Sequence, residues 1–123
     1  MQLDHMNIYV KNIKKSRAFY EAVLCPFGFE VVRDFGELAV GFGDKNYAAF
    51  AIVREEKPIQ PLHVAFRVDK REDVHRFHEI ALKAGGMDNG AAGLRPDYHE
   101  HYYGAFVRDL DGHNIEFVCH RPY

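Results

Sequence analysis

The chain contains the same pattern twice. Laid under His5-Met6-Asn7-Ile8-Tyr9-Val10, the stretch His63-Val64-Ala65-Phe66-Arg67-Val68 begins a second run of the same elements. His5 and His63, Val10 and Val68, Phe19 and Phe77, Glu21 and Glu79, and Leu24 and Leu82 all stand 58 positions apart. One offset kept through both a strand and a helix is the mark of a duplicated supersecondary unit. Each copy reads as βαβββ. The expected fold class is therefore α+β: a single domain, residues 1–123, made of two βαβββ modules (about 1–58 and 59–123) that form a partly closed, curled mixed sheet.

In the first copy, residues 3–10 alternate, with Met6, Ile8 and Val10 on one face and His5, Asn7 and Tyr9 on the other, as in a half-buried strand. Asn12 is placed to cap a helix whose stripe is Ala18, Phe19, Ala22 and Val23, and Pro26 with Gly28 ends it. Strands follow near residues 29–32, 38–42 and 47–53, the last two joined by a turn at Gly43-Asp44-Lys45-Asn46. Glu55-Glu56-Lys57-Pro58 reads as a polar linker. In the second copy, Asp69 with Glu72 three residues on reads as a capping box. Val74, Phe77, Ala81 and Ala84 make the buried stripe, and Gly85-Gly86 stops the helix. Residues 87–101 then read as a long connection, of the kind that is usually functional. It carries Arg95, Tyr98, His99 and His101.

The C-terminal run folds back on itself through Asp111-Gly112 as a β-hairpin. Along its second arm Ile115 and Phe117 share one face with Cys119, while Asn114 and Glu116 share the other. Glu116 thus sits in the middle of an apolar strand. An unpaired carboxylate there costs several kcal/mol or takes up a proton, so a cation, a set of donors or a metal is expected beside it.

Composition narrows the function classes. With 47% hydrophobic and 28% charged residues, the chain fits one globular domain with a real core. Its formal net charge is −2, and its Lys and Arg are dispersed, so no footprint for nucleic acid or an anionic membrane is present. No apolar run approaches the ~20 residues of a membrane span, and the N-terminus lacks the regions of a signal peptide, so the expectation is cytoplasmic. Cys25 and Cys119 have no CxxC spacing and read as reduced thiols, Cys119 as a small buried hydrophobe.

The repeat places His5 and His63 on equivalent first strands, on the faces opposite the helix-packing residues, and Glu116 shares that polar parity. Two imidazoles and one carboxylate with open positions suit Fe(II) or Mn(II), and Zn or Ni with added ligands. Glu116 paired with an arginine such as Arg67 is the metal-free alternative. His99, His101 and Tyr102 are the candidate general acids or bases. Tyr9, Arg67, Arg95 and Tyr98 are the candidate substrate contacts. His75 and His78 read as solvent-facing on the second helix.

The paired strands Leu3-Asp4-His5-Met6-Asn7-Ile8-Tyr9-Val10 and Leu62-His63-Val64-Ala65-Phe66-Arg67-Val68, the helix segment Ser16-Arg17-Ala18-Phe19-Tyr20, and the closing Phe106 to Glu116 resemble the vicinal oxygen chelate superfamily. That superfamily takes in glyoxalase I, extradiol dioxygenases, fosfomycin-resistance thiol transferases, epimerases and metal-free bleomycin-binding proteins. The resemblance spans nearly the whole chain. It implies a glyoxalase-like fold, a divalent metal ion (Fe, Mn, Ni or Zn) held by His5, His63 and Glu116, a small-molecule substrate chelating that ion through neighbouring oxygens, and a homodimer. One departure stands out: glyoxalase I and the epimerases take a fourth ligand, Glu or Gln, from the fourth strand, which here reads Ala48-Ala49-Phe50-Ala51-Ile52-Val53. A three-ligand site resembles the dioxygenase or thiol-transferase branches more closely. The alternatives are a metal-free module that sequesters a planar or aromatic small molecule, and an interaction-only homodimer.

Overall fold

The protein, represented by a computed structural model describing residues 1–123, divides into two compact units, 1–60 and 61–123. The first runs β1 (Met6–Val10), α1 (Ile13–Leu24), a short 3-10 turn (Cys25–Phe27), β2 (Glu30–Asp34), β3 (Ala39–Asp44) and β4 (Tyr47–Arg54). The second runs β5 (His63–Arg67), α2 (Arg71–Lys83), β6 (Met87–Leu94), β7 (Tyr103–Arg108) and β8 (Asn114–Cys119). Their sheets have the same open topology, β1-β4-β3-β2 and β5-β8-β7-β6. In each, the first and last strands pair in parallel and the remaining neighbours are antiparallel. This is the α+β, two-βαβββ architecture the repeat predicts.

In the first unit, alternation puts Ile8 and Val10 beneath α1 with Val40, Phe42, Phe50 and Ile52, all buried. Asn12 caps α1 as expected, its side chain accepting from the Lys15 amide at 3.0 Å. The buried stripe is turned from the expected one. Ala18 is exposed, and Ser16, Tyr20 and Leu24 join Phe19 and Val23 inside. Large side chains remove more apolar area from water than alanines do, so they set the helix rotation. The Tyr20 ring lies 5.0 Å from Phe19, edge to face, and 5.2 Å from Phe50.

The β3–β4 turn is tighter than the expected tetrapeptide. Lys45 (φ 50°) and Asn46 (φ 67°) are both left-handed, the backbone of a two-residue hairpin turn, while Gly43 and Asp44 belong to β3. Pairing slips between Phe42 and Gly43, making Ala49 the extra residue of a bulge. A Cβ on Gly43 would stand 1.6 Å from the Tyr47 carbonyl oxygen, so only glycine fits.

In the second unit Val64, Val74, Phe77, Ala81, Val107, Ile115, Phe117 and Cys119 form the core. Phe77 stacks on Phe117 at 4.3 Å with planes 5° apart. Gly85 (φ 106°) ends α2: its amide bonds the Leu82 carbonyl at 3.2 Å and the Gly86 amide bonds the Ala81 carbonyl at 2.9 Å, a Schellman motif. The expected capping box does not form. Lys70 is the N-cap, without a side-chain cap bond, and Asp69 instead faces Arg121 at 3.5 Å. His78 does not face solvent either, since its ring bonds Asp88 at 2.9 Å with the side chain 15% exposed. His75, exposed, meets the Tyr103 hydroxyl at 2.6 Å.

The long connection is half strand. Met87–Leu94 is an edge strand on β7 with register slips around Gly90 and Gly93. Its glycines carry little strand propensity, and the β7 ladder supplies the order that its composition lacks. What remains, residues 95–102, consists of two tight turns closed by Tyr98 N to Arg95 O (3.0 Å) and Tyr102 N to His99 O (3.3 Å).

Phe77→Ala is expected to lower unfolding free energy by about 3–5 kcal/mol in urea titration, because the Phe117 ring loses its stacked partner. Gly43→Ala, pressing one buried methyl against a backbone carbonyl, is expected to cost about 1–3 kcal/mol in the same assay.

Candidate functional site

The second unit gathers its polar chemistry around Glu116. The pairing of β5, β8 and β7 sets Ala65, Glu116 and Phe106 in one row. Glu116 is wholly buried, and each of its oxygens has a partner. Oε1 lies 2.8 Å from Nε2 of His63, whose ring is 53% exposed, and Oε2 accepts from the Tyr102 hydroxyl. The arginine alternative is thus replaced by an imidazole and a phenol. Gly104 makes room for this arrangement, since a Cβ there would stand 3.0 Å from Glu116 Oε2 and 3.2 Å from the Tyr102 ring. Burial, the hydrogen bond to Glu116 and its negative charge together raise the Tyr102 pKa well above the ordinary phenol value, so the hydroxyl stays a donor.

Around Tyr102 stand three more rings. Tyr98 and His99 meet it edge on at 4.9 and 5.2 Å, and His120 does so at 5.4 Å. His99 Nε2 and His120 Nδ1 are 2.8 Å apart, with the rings stacked. Burial, followed by the charge of Arg67 and the neighbouring His99, holds His120 below the ordinary imidazole pKa, with Glu116 opposing. His120 was not among the residues expected from sequence. It directly follows β8 and keeps the parity of Asn114, Glu116 and Val118, so extending the alternation by one step would have found it.

The other expected residues of this unit are placed differently. Arg67 lies exposed on the same face of β5 as His63. Arg95 turns back on β6, donating to the carbonyls of Gly93 (3.0 Å) and Ala91 (2.7 Å) and lying 5.3 Å over the Phe106 ring. His101 stands 3.8 Å from Glu100, its side chain 41% exposed. His113, which looked unremarkable in sequence, is fully buried and accepts from the Leu62 amide at 3.0 Å, a structural bond that ties the hairpin turn to the start of β5.

The first unit carries a cavity of about 330 Å³ on the face of its sheet away from α1, lined among others by His5, Asn7 and Ala51. Of the three alanines of β4, Ala48 and Ala51 line this space, Ala51 opposite Asn7 in the parallel ladder. His5 Nδ1 bonds the Asp4 carboxylate at 2.7 Å. In the neutral ring that bond assigns the proton to Nδ1 and leaves the lone pair on Nε2, the usual preparation of a ligating histidine. Tyr9 is 44% exposed on β1, and is not among the cavity residues.

The donor chemistry fits a divalent ion in part within each unit. His63 Nε2 and Glu116 Oε1 converge as adjacent ligands do, and His5 offers an oriented imidazole. Within neither unit do three His, Cys, Asp or Glu side chains gather into a ligand set.

A sequence model of the Glyoxalase/Bleomycin resistance protein/Dioxygenase superfamily matches residues 2–117. Among solved structures, a hypothetical protein from S. aureus is 25% identical, with 97% of each chain covered and a TM-score of 0.71. A glyoxalase/bleomycin resistance protein from Albidiferax ferrireducens is 22% identical over 94% of this chain and 97% of its own, with a TM-score of 0.82. The fosfomycin resistance protein FosX from Mesorhizobium loti is 20% identical over 98% of this chain and 93% of its own, with a TM-score of 0.71. At such identities these likenesses concern the fold, which hosts many reactions. No curated protein sequence matches the chain. The duplicated βαβββ units and the family match together make this chain a member of the glyoxalase/bleomycin resistance protein/dioxygenase superfamily.

Proposed function

We propose that the chain is a divalent-metal-dependent enzyme acting on a small molecule that presents two neighbouring oxygens. The observation that carries this reading is the convergence of His63 Nε2 and Glu116 Oε1 at 2.8 Å, with the carboxylate wholly buried. Such spacing suits two ligands that each stand about 2.0–2.2 Å from one ion. His63 and Glu116 would hold the metal, and this mixture of imidazole and carboxylate suits Fe, Mn, Ni or Zn. Bound there, a divalent ion supplies Lewis-acid stabilisation of negative charge on the substrate oxygens.

The chain's own groups do the rest. Tyr102 keeps its proton on Oη toward Glu116 Oε2, which holds that oxygen in place and leaves Oε1 toward His63. His99, edge on to Tyr102 and bonded to His120, forms with it an imidazole pair able to take or return a substrate proton. His101 stands apart from this group as the second imidazole of the same loop. A homodimer belongs to the same reading.

A second reading has its own support. Both Glu116 oxygens are already hydrogen-bonded by the protein, so the carboxylate is satisfied without an ion, as a metal-free binding module requires. Replacing His5 and His63 by alanine separates the two readings: small-molecule binding that survives both changes favours sequestration.

Protein loaded with Fe, Mn, Ni or Zn and then desalted is expected to retain close to one ion per chain by plasma emission spectrometry. His63→Ala and Glu116→Gln are expected to lose it. Metal content that stays substoichiometric in the unmodified protein with all four ions overturns the enzyme reading. Tyr102→Phe, which removes a partner of the ligating carboxylate, is expected to weaken metal affinity about 10–100-fold in a chelator competition while leaving the fold intact by circular dichroism.

A further inference from the structure

The cavity of the first unit has a charge pattern of its own. Across the sheet, strand pairing sets Arg33 opposite Gly41, Gly41 opposite Ala51, and Ala51 opposite Asn7. One row therefore runs from a guanidinium on β2 to a carboxamide on β1, and the two positions between them carry no side chain larger than a methyl. Neighbouring strands are about 4.8 Å apart, so the row spans roughly 14 Å from backbone to backbone, with long side chains closing it at either end. The result is a trough with a flat floor.

That floor is required by the packing. A Cβ on Gly41 would meet Ala48 Cβ at 2.8 Å and Arg33 Cβ at 3.2 Å, so the glycine lets the Arg33 stem and Ala48 lie side by side. Phe35 and Tyr47, 60% and 49% exposed, stand at the rim and offer ring surface to whatever enters. The open trough, about 330 Å³, falls at the small end of the range of ligand pockets, about 300–1,000 Å³.

The charges are unequal at the two ends. Asp4 is engaged by the Tyr47 hydroxyl and by His5 Nδ1, the latter at 2.7 Å. Arg33 donates from Nη1 to the Val32 carbonyl at 2.7 Å and has no carboxylate partner. A guanidinium with a planar fork of donors beside a flat apolar floor matches a planar ligand that ends in a carboxylate.

We infer that this trough binds planar carboxylic acids, with Arg33 taking the carboxylate and the methyl floor of Ala48 and Ala51, seated beside Gly41, taking the ring. The inference deepens the small-molecule reading above by naming the ligand class, and rests on that reading only for the ligand being small. Arg33 then selects by charge, and the floor selects by flatness.

The experiment compares 2-naphthoate with 2-naphthamide, equal in shape and unequal in charge, by isothermal titration on full-length protein treated with EDTA. Metal-free protein keeps a failure of the metal reading separate from a failure of this one. The unmodified protein is expected to bind naphthoate at least about tenfold tighter than naphthamide, the increment of a charge-assisted hydrogen bond. Arg33→Met is expected to abolish that preference while keeping naphthamide affinity within about twofold. Ala51→Leu, which raises the floor, is expected to weaken both ligands. Equal affinity for the two in the unmodified protein, a preference that survives Arg33→Met, or no binding of either ligand overturns the inference. Thermal melts of each variant confirm that the protein tested is folded.

Discussion

Placing a carboxylate in the middle of a buried strand imposes conditions on everything around it. Glu116 is fully out of water on β8, between Ile115 and Phe117 whose side chains enter the core under α2. An ionised group in that position persists only if both oxygens are satisfied, because the loss of hydration outweighs what packing alone returns. His63 and Tyr102 satisfy it from two directions, one from the neighbouring parallel strand and one from the turn that precedes β7. Gly104 must stay small to let Tyr102 reach, and the two tight turns of residues 95–102 must hold that ring in place. The loop, the glycine and the pairing of β5 with β8 are thus all tied to one side chain.

The same unit has been put to two uses. Both copies bury a helix against one sheet face, and both leave the other face available. In the first copy that face is cleared of side chains: Gly41, Ala48 and Ala51 form a floor, with charge confined to its margins. In the second it is crowded, with Glu116, His63 and Tyr102 bonded to one another and His99 and His120 stacked beside them. The family's architecture tolerates this divergence because the core and the open faces are read by opposite parities of the same strands. Substitutions on one parity leave the other undisturbed.

The histidines show how little residue type says about role. His113, entirely buried, spends its Nδ1 on the Leu62 amide and joins a turn to a strand. His75 and His78 bind Tyr103 and Asp88, tying α2 to β7 and β6. His5 and His63 each meet a carboxylate, yet the first is oriented by an exposed aspartate and the second faces a buried glutamate. Only the latter environment combines desolvation with convergent donors, the condition under which a polar cluster becomes chemically useful.

Periodicity and repetition in the sequence were enough for the α+β class, the two βαβββ copies, the Asn12 cap, the Gly85 stop and the inward strand parity of Ile115 and Phe117, because each depends on neighbours a few residues away. The opposite parity of Glu116 was equally clear, as was its need for a partner. The identity of that partner was not, since His63 lies 53 residues away in sequence and becomes adjacent only when β5 and β8 pair. The Met87–Leu94 strand was hidden for a related reason: its glycines hold an extended path only because β7 provides the hydrogen bonds. The Asp69–Glu72 capping box failed because Asp69 faces Arg121, a competitor that local spacing cannot reveal. Local pattern therefore determined which face each residue takes, while tertiary structure decided which residues meet there, because hydrogen bonds between distant strands and the packing of large rings are set by the whole fold.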